Sequence, residues 1–340
     1  MCAGSAFSQT SSGSITGTVV DASDAPVAGA EIIATDQAKK TSVRSTSDEH
    51  GLFAFPNLLP STYTLKVSSS GFKAFQVSDQ VLNANDKLSV GVLKLEIGSL
   101  AETVEVQAQA VELKTESGER SEAIVGKQLQ NTLVNSRSYL DLTKLIPGTI
   151  FTGNLQTAGH GGVGSISANG ARFNQNNLTL NGLGNVDTGN NGDQLATVSL
   201  DSVQEFKILT SNYQAEYGRS SGAQISVVTK SGTSAFHGSG YLFHRNEGLN
   251  ANNWKSNRDG LPRQKYRFND AGYTIGGPAF IPKVFNRSHD KLFFFWSQEY
   301  QQQLKPQSER DRTVPTALER QGDFSQSVDK NGNPYPYIRD

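Results

Sequence analysis

GSITGTVVDASDAPVAGAEIIATD, residues 13–36, and TSDEHGLFAFPNLLPSTYTLKVSSSGF, residues 46–72, set the architecture of the first part of the chain. Apolar or small residues recur at every second position at Ile15, Gly17 and Val19, at Ala30, Ile32 and Ala34, at Phe53 and Phe55, and at Tyr63, Leu65 and Val67. A period of two is the mark of a strand with one buried face. Asp24-Ala25-Pro26, His50-Gly51, Pro60-Ser61 and Ser70-Gly71 stand between the runs. These residue types close turns, through fixed φ at proline, free φ at glycine and side-chain bonds from aspartate. Leu88, Val90 and Val92 make a last run. About seven short strands separated by turns predict a small β-sandwich over residues 13–97.

The chain has 340 residues, room for at least two domains at roughly 100 to 200 residues each. Gly is abundant (33 residues) and charged residues make up 19%, below the roughly 25% usual in soluble domains, which favours turn-rich β structure. The 31 basic and 32 acidic residues are interspersed, so no basic stripe is available for a phosphate backbone and nucleic acid is not expected as a partner. Cys2 is the sole cysteine, which rules out an internal disulfide and a thiolate metal site. No apolar run approaches the 18 or so residues of a membrane helix, and mean hydropathy is −0.44. A membrane barrel remains open, because its strands alternate lipid-facing and lumen-facing residues and average to middling hydropathy. Residues 1–12 begin MCAGSAFSQT, with Ala6 and Ser8 at the −3 and −1 positions of a cut before Gln9. They read as a signal-peptide remnant, the alternative being an ordinary N-terminus.

Residues 98–122 are polar and uneven and read as a linker. Ile124, Leu129, Leu133, Leu140 and Leu145 give residues 123–145 a helical period, stopped by Pro147-Gly148. Strand signals resume at 165–168, 177–180, 205–209 and 224–228. Beyond His237, aromatic-rich runs at 238–243, 272–277 and 291–300 are separated by polar loops of about twenty residues, which count against a compact soluble domain and are ordinary outside a membrane barrel. Trp254, Trp296 and Tyr300 are candidates for an interfacial aromatic girdle, the alternative being a soluble β core.

Several of these strings resemble known families. Residues 13–36 and 46–72 resemble the carboxypeptidase regulatory-like domain, of transthyretin-like or carbohydrate-binding-like fold. SISANGARFNQNNLTLNGLGNVD (165–187) and VQEFKILTSNYQAEYGRSSGAQISVVTKSG (203–232) resemble the two signatures of a TonB-dependent plug. In the first, Asn169, Gly170 and Arg172 match Asn-Gly-x-Arg, and Leu180 to Gly182 match a Leu-Asn-Gly turn. In the second, Tyr217, Gly218, Gly222, Ile225, Val227, Thr229 and Lys230 match, with Arg219 directly after Tyr-Gly. Thr210 to Tyr213 (TSNY) depart from the Gly-Pro turn of many siderophore transporters, which argues against a siderophore and agrees with the Oar-like branch. HGSGYLFHRNEGLNANNW, FNDAGYTIGGPAFIPKVFNRSHDKLFFFWSQEY and TVPTALERQGDF resemble the opening barrel strands of Oar-like receptors. ETVEVQA (102–108), with Glu102, Thr103, Val104, Glu105 and Val106, resembles a TonB box, the alternative being a last sandwich strand or inert linker.

The resemblance implies a mainly β chain: a seven-stranded transthyretin-like sandwich (13–97), a linker with the box (98–122), an α+β plug (123–232) and the first strands of an incomplete outer-membrane barrel (233–340). It implies an outer-membrane receptor moving a large unidentified ligand in or out, with the sandwich and box in the periplasm. It further implies contact with membrane lipid and coupling through the TonB–ExbB–ExbD system to the proton gradient. Arg172 and Arg219 are expected to meet carboxylates in the plug or on the barrel wall, or else to lie exposed. Glu205 and Glu216 are expected on solvated faces or the lumen wall. The rival reading is a secreted or surface adhesion or carbohydrate-binding protein built on the sandwich, which should stay folded without detergent. His50, His160, His237, His244 and His289 show no metal-ligand spacing, GHGGVG (159–164) has no following Lys-Ser/Thr, and no G-x-S-x-G elbow occurs. No metal, cofactor or enzymatic activity is expected.

Overall fold

The computed structural model describes residues 11–98, 103–107, 118–134, 136–152, 163–215, 217–218, 220–304, 314–329 and 331–335. Eight strands build the sandwich: β1 (Gly13–Val20), β2 (Glu31–Asp36), β3 (Ser42–Thr46), β4 (Leu52–Leu58), β5 (Ser61–Ser68), β6 (Ala74–Leu82), β7 (Lys87–Lys94) and β8 (Thr103–Gln107). One sheet has the order β4-β1-β7 and the other β3-β2-β5-β6-β8. The predicted alternation is the observed one. Ile15, Val19, Ile32, Ala34, Phe53, Phe55, Leu65 and Val67 form the buried layer, and their sequence neighbours face outward. Each large apolar side chain so buried contributes about 1.5–3 kcal/mol. Tyr63 joins them with its hydroxyl donated to the Leu59 carbonyl at 2.8 Å, and burial beside Asp36 raises its phenol pKa. The His50-Gly51 turn forms as predicted, with Gly51 at φ +75°.

The plug contains β9 (Arg120–Val125), α1 (Gly126–Asn131), a 3-10 helix (Tyr139–Leu145), β10 (Thr149–Phe151), β11 (Ile166–Ala168), β12 (Asn177–Leu180), β13 (Leu183–Gly184), β14 (Val203–Ser211) and β15 (Gln224–Thr229). Its main sheet runs β13-β12-β15-β14-β9, with β12 parallel to β15 and the other pairs antiparallel. Ile124, Leu129, Tyr139, Leu142, Ile166, Leu178, Phe206, Ile208, Ile225 and Val227 make its core. The helical reading of residues 123–145 as one or two short helices is met by α1 and the 3-10 helix, except at its start. Ile124 lies on β9, opposite Phe206 of β14. The chain then turns at Gly126, φ +54°, into α1. Leu133 is 91% exposed and Leu145 54%, so two of the five residues that suggested one helical face are not on a buried face. The plug sheet therefore begins at Arg120, inside the segment read as linker, and that segment also supplies β8 to the sandwich.

Downstream, β16 (His237–Asn246), β17 (Arg267–Pro278) and β18 (Phe293–Leu304) form a sheet of that order. At 10 to 12 residues they match or slightly exceed the roughly 9–11 needed to cross a bilayer as tilted strands. Leu242, Tyr273, Ile275, Phe294, Trp296 and Tyr300 are exposed on one face, while Tyr241, Phe268, Asp270, Thr274 and Glu299 are turned to the other. Gly272 makes this inner face possible. A Cβ there would strike the Tyr241 ring, which crosses β17 to donate its hydroxyl to Glu299 of β18 at 2.8 Å. Among the described residues the sheet is open and does not close into a barrel. A separate smaller unit comprises residues 245–267 and 304–340. Trp254 lies there on α2 (Trp254–Arg258), with the Arg258 guanidinium 5.1 Å from its ring, so this girdle candidate is not on a strand.

Phe55 is 2% exposed. Phe55→Ala should destabilise the sandwich by about 3–5 kcal/mol, read as faster hydrogen exchange in β1 and β4.

Candidate functional site

The signature residues of the plug are mostly architectural. Asn169 (φ +51°) and Gly170 (φ +78°) form a left-handed turn after β11, and the Asn169 amide donates to the Thr210 carbonyl at 2.9 Å. Asn181 (φ +51°) and Gly182 (φ +83°) are the two central residues of the β12–β13 hairpin, the Asn-Gly pair that such a turn favours. The side-chain oxygen of Asn181 also accepts from the Thr229 amide at 2.9 Å. Gly222 lets β15 approach the 173–176 turn, since a Cβ there would lie 2.7 Å from the Asn176 oxygen. Tyr213, from the departing TSNY string, donates to the Gly222 carbonyl at 3.0 Å and packs edge-on against Tyr217 at 6.1 Å. Gly218 has open space where a side chain would stand. Arg172 is exposed and makes no ion pair with a carboxylate among the described residues. Its exposure follows from its place at the entry to a 3-10 turn. Arg219 and Glu216 lie outside the described residues.

Charge instead gathers at two seams that the sequence did not reveal. The first joins plug and sandwich. Strand β14 buries both faces: Phe206 and Ile208 enter the plug core, while Glu205 and Lys207 meet the turn between β6 and β7. The Glu205 carboxylate accepts from the Ala84 amide at 3.0 Å, and the Lys207 ammonium donates to the Ala84 carbonyl at 3.0 Å. One peptide residue of the sandwich is thus held at both its donor and its acceptor. Lys207, fully buried, also pairs with Asp86 at 2.7 Å and Glu119 at 3.6 Å. Glu205 is 2% exposed, so it lies neither on a solvated face nor on the lumen wall. Charged residues spaced two apart, flanking the apolar Phe206, were the only sequence signal.

The second seam joins plug and barrel strands. Arg137, at φ +57° and with its side chain 9% exposed, pairs with Asp201 of the plug and lies 3.8 Å from Asp270 of β17. Its guanidinium sits 4.1 Å from the Phe243 ring and 5.3 Å from that of Tyr241. Planar stacking and forked donation suit arginine and would be lost with lysine. Ser199 and Ser297 hydrogen-bond nearby at 2.9 Å, and Lys230, its pKa lowered by burial, donates to the Asp201 carbonyl at 2.7 Å. A polar cavity of about 560 Å³ borders this seam, lined by Arg137, Gln194, Ser199, Ser297, Glu299 and Gln301 among others. Arg172, expected either to meet a carboxylate or to lie exposed, lies exposed. Within the plug, Arg137 meets carboxylates.

The TonB-box-like string also has a defined place. Thr103–Gln107 is β8, the edge strand of the five-stranded sandwich sheet, parallel to β6 in the register Ala74↔Thr103 to Ser78↔Gln107, which is the alternative reading of this string as a last sandwich strand. Glu105 accepts from Gln76 and from Ser78, each at 3.3 Å. Glu102 and Ala108 lie outside the described residues.

Lys207→Met would leave Asp86 and Glu119 buried without their cation, a loss of about 3–5 kcal/mol. The expected readout is a lowered calorimetric midpoint and faster exchange at Ala84. A Lys207→Met/Asp86→Leu double variant should recover part of it.

Three family models match the chain in succession: the carboxypeptidase regulatory-like domain at residues 14–96, the TonB-dependent receptor plug domain at 114–225 and an outer membrane β-barrel domain at 228–339. The TonB-dependent transporter Oar of Myxococcus xanthus is 29% identical over 303 residues, covering 85% of this chain and 26% of that protein. This chain therefore spans about a quarter of the length of that relative. Among solved structures, the siderophore receptor PirA from Acinetobacter baumannii is similar over 58% of this chain and 26% of its own, at 19% identity and a TM-score of 0.39. A cohesin–X-dockerin complex from Acetivibrio cellulolyticus matches 26% of this chain and 60% of its own, at 14% identity and a TM-score of 0.22. The order of the three domains, each coinciding with a structural part described above, and the Oar relative identify the chain as carrying the regulatory-like, plug and β-barrel domains of an Oar-like TonB-dependent receptor of the Gram-negative outer membrane.

Proposed function

We propose that this chain serves active passage of a large ligand through the outer membrane, with the plug gating a barrel lumen and TonB engaging Glu102, Thr103, Val104, Glu105 and Val106. In this reading the sandwich and its β8 edge face the periplasm. The row Leu242, Tyr273, Ile275, Phe294 and Trp296 faces lipid, and the ligand arrives on the extracellular side. TonB, coupled through ExbB and ExbD to the proton gradient, supplies the work that displaces the plug. The observation that carries the reading is the extended conformation of Thr103–Gln107 at a sheet edge, between sandwich and plug. Strand addition takes affinity from backbone hydrogen bonds and selectivity from alternate side chains, and TVEVQ offers both. The Arg137 seam supports gating. It ties the plug to β16 and β17 through an ion cluster flanked by the rings of Tyr241 and Phe243. Of the matched plug residues, Asn169, Gly170, Gly182, Tyr217 and Gly222 act here by shaping the turns that hold the plug sheet together.

A peptide of residues 100–111 should bind the periplasmic domain of TonB, and Val104→Pro and Val106→Pro should each weaken binding tenfold or more, about 1.4 kcal/mol, because proline removes a ladder donor. Calorimetric titration decides it, and a native peptide without affinity would sink the TonB assignment.

A further inference from the structure

The sandwich has four sheet edges, and three are guarded. An exposed edge invites pairing with another chain, and natural proteins blunt it with Lys, Arg, Pro or bulges. Strand β3 carries Arg44, paired to Glu31 at 2.7 Å. Strand β4 carries Pro56, and β7 begins and ends with Lys87 and Lys94. Strand β8, TVEVQ, has no basic residue and no proline. Its inner edge is paired with β6, and among the described residues no strand pairs with its outer edge. A strand directs its backbone groups alternately to its two sides, so β8 can accept a second neighbour without giving up the first.

We propose that the periplasmic partner adds its strand to the outer edge of β8 while β8 stays paired with β6, extending the five-stranded sheet to six. This rests on the reading of residues 102–106 as the TonB-binding segment. Releasing β8 first would break the ladder to β6 and the two hydrogen bonds of Glu105, only to re-form a similar ladder elsewhere. Addition to the outer edge adds bonds and breaks none. It also uses a strand already ordered, which reduces the entropic cost of association. Residues 98–113 contain Glu102, Glu105 and Glu112 and no Lys or Arg. The strand that fits this edge is therefore a basic one, and its binding weakens as salt is raised.

Gln76 and Glu105 are register partners. The strand spacing of about 4.8 Å lies within the roughly 4.4–6.8 Å between Cα atoms that a disulfide spans. The test uses the full chain with Cys2→Ser, Gln76→Cys and Glu105→Cys, comparing oxidised and reduced forms for binding to the TonB periplasmic domain. Affinities equal within about twofold, well under the tenfold that 1.4 kcal/mol represents, are the expected result. Loss of tenfold or more on oxidation alone would show that the strand must leave the sandwich, and would overturn the proposal. If neither form binds and the free 100–111 peptide does not bind either, the TonB assignment itself falls. If the peptide binds and the chain does not, the sandwich blocks the segment and only the present proposal falls. Hydrogen exchange on the unsubstituted chain gives an independent reading. Residues 74–78 should remain protected when the partner is bound, and their deprotection would reject outer-edge addition.

Discussion

Lys207 carries its charge at no solvent exposure, and it can do so only where carboxylates and a carbonyl surround it. The surroundings are Asp86 and the Ala84 carbonyl from the sandwich and Glu119 from the start of the plug. An ammonium buried without such partners would be costly. The plug strand β14 is therefore compatible with its own sequence only when the sandwich is seated on it. Glu205, two residues earlier on the same face, adds the complementary bond to the Ala84 amide. The sandwich turn offers one donor, one acceptor and one carboxylate, and β14 answers each in kind.

Seen from this constraint, the two seams differ in character. At the sandwich seam the ions are enclosed and every charge named has a partner. At the barrel seam Arg137 has Asp201 close by and Asp270 farther away, and aromatic faces from β16 complete its surroundings. Burying an ion pair contributes less to stability than to geometry, because desolvation offsets most of the attraction. An enclosed, complementary seam resists separation, since parting it strands charges on both sides. The barrel seam combines the Arg137 ion cluster with the Ser199–Ser297 hydrogen bond to β18.

The sandwich was legible in the sequence because its central strands β1, β2 and β5 each have one wet face and one buried face. Ile15, Gly17 and Val19, or Tyr63, Leu65 and Val67, announce themselves by alternation alone. Strand β14 was legible as a strand but not as an interface. Glu205 and Lys207 fall where solvent-facing residues belong, and only the arrival of Ala84 and Asp86, more than a hundred residues earlier in sequence, buries them. Residues 120–125 were misread for a related reason. Ile124 and Leu129 suit a helical face by spacing, yet Ile124 finds its partner across a sheet in Phe206, a contact that local periodicity does not encode. For the same reason Arg137, in an unremarkable Asn-Ser-Arg-Ser string, was passed over in favour of Arg172, which a family pattern had highlighted.

The position of β6 connects these parts. Its first five residues are the ladder partners of β8, and its last runs into the turn that Glu205 and Lys207 grip. If β8 keeps β6 as its neighbour when a partner strand is added, a pull on β8 does not reach the plug through the covalent link alone. Load passes across the β8–β6 ladder, along β6, and into β14 through the Ala84–Asp86 turn. In a parallel pair pulled along its length the ladder bonds share the load, unlike the opening of one bond at a time from an end. The ion cluster at the far end of β6 is enclosed and complementary. A load on β8 therefore reaches the plug sheet at Glu205 and Lys207, on the strand whose other face carries Phe206 and Ile208 into the plug core.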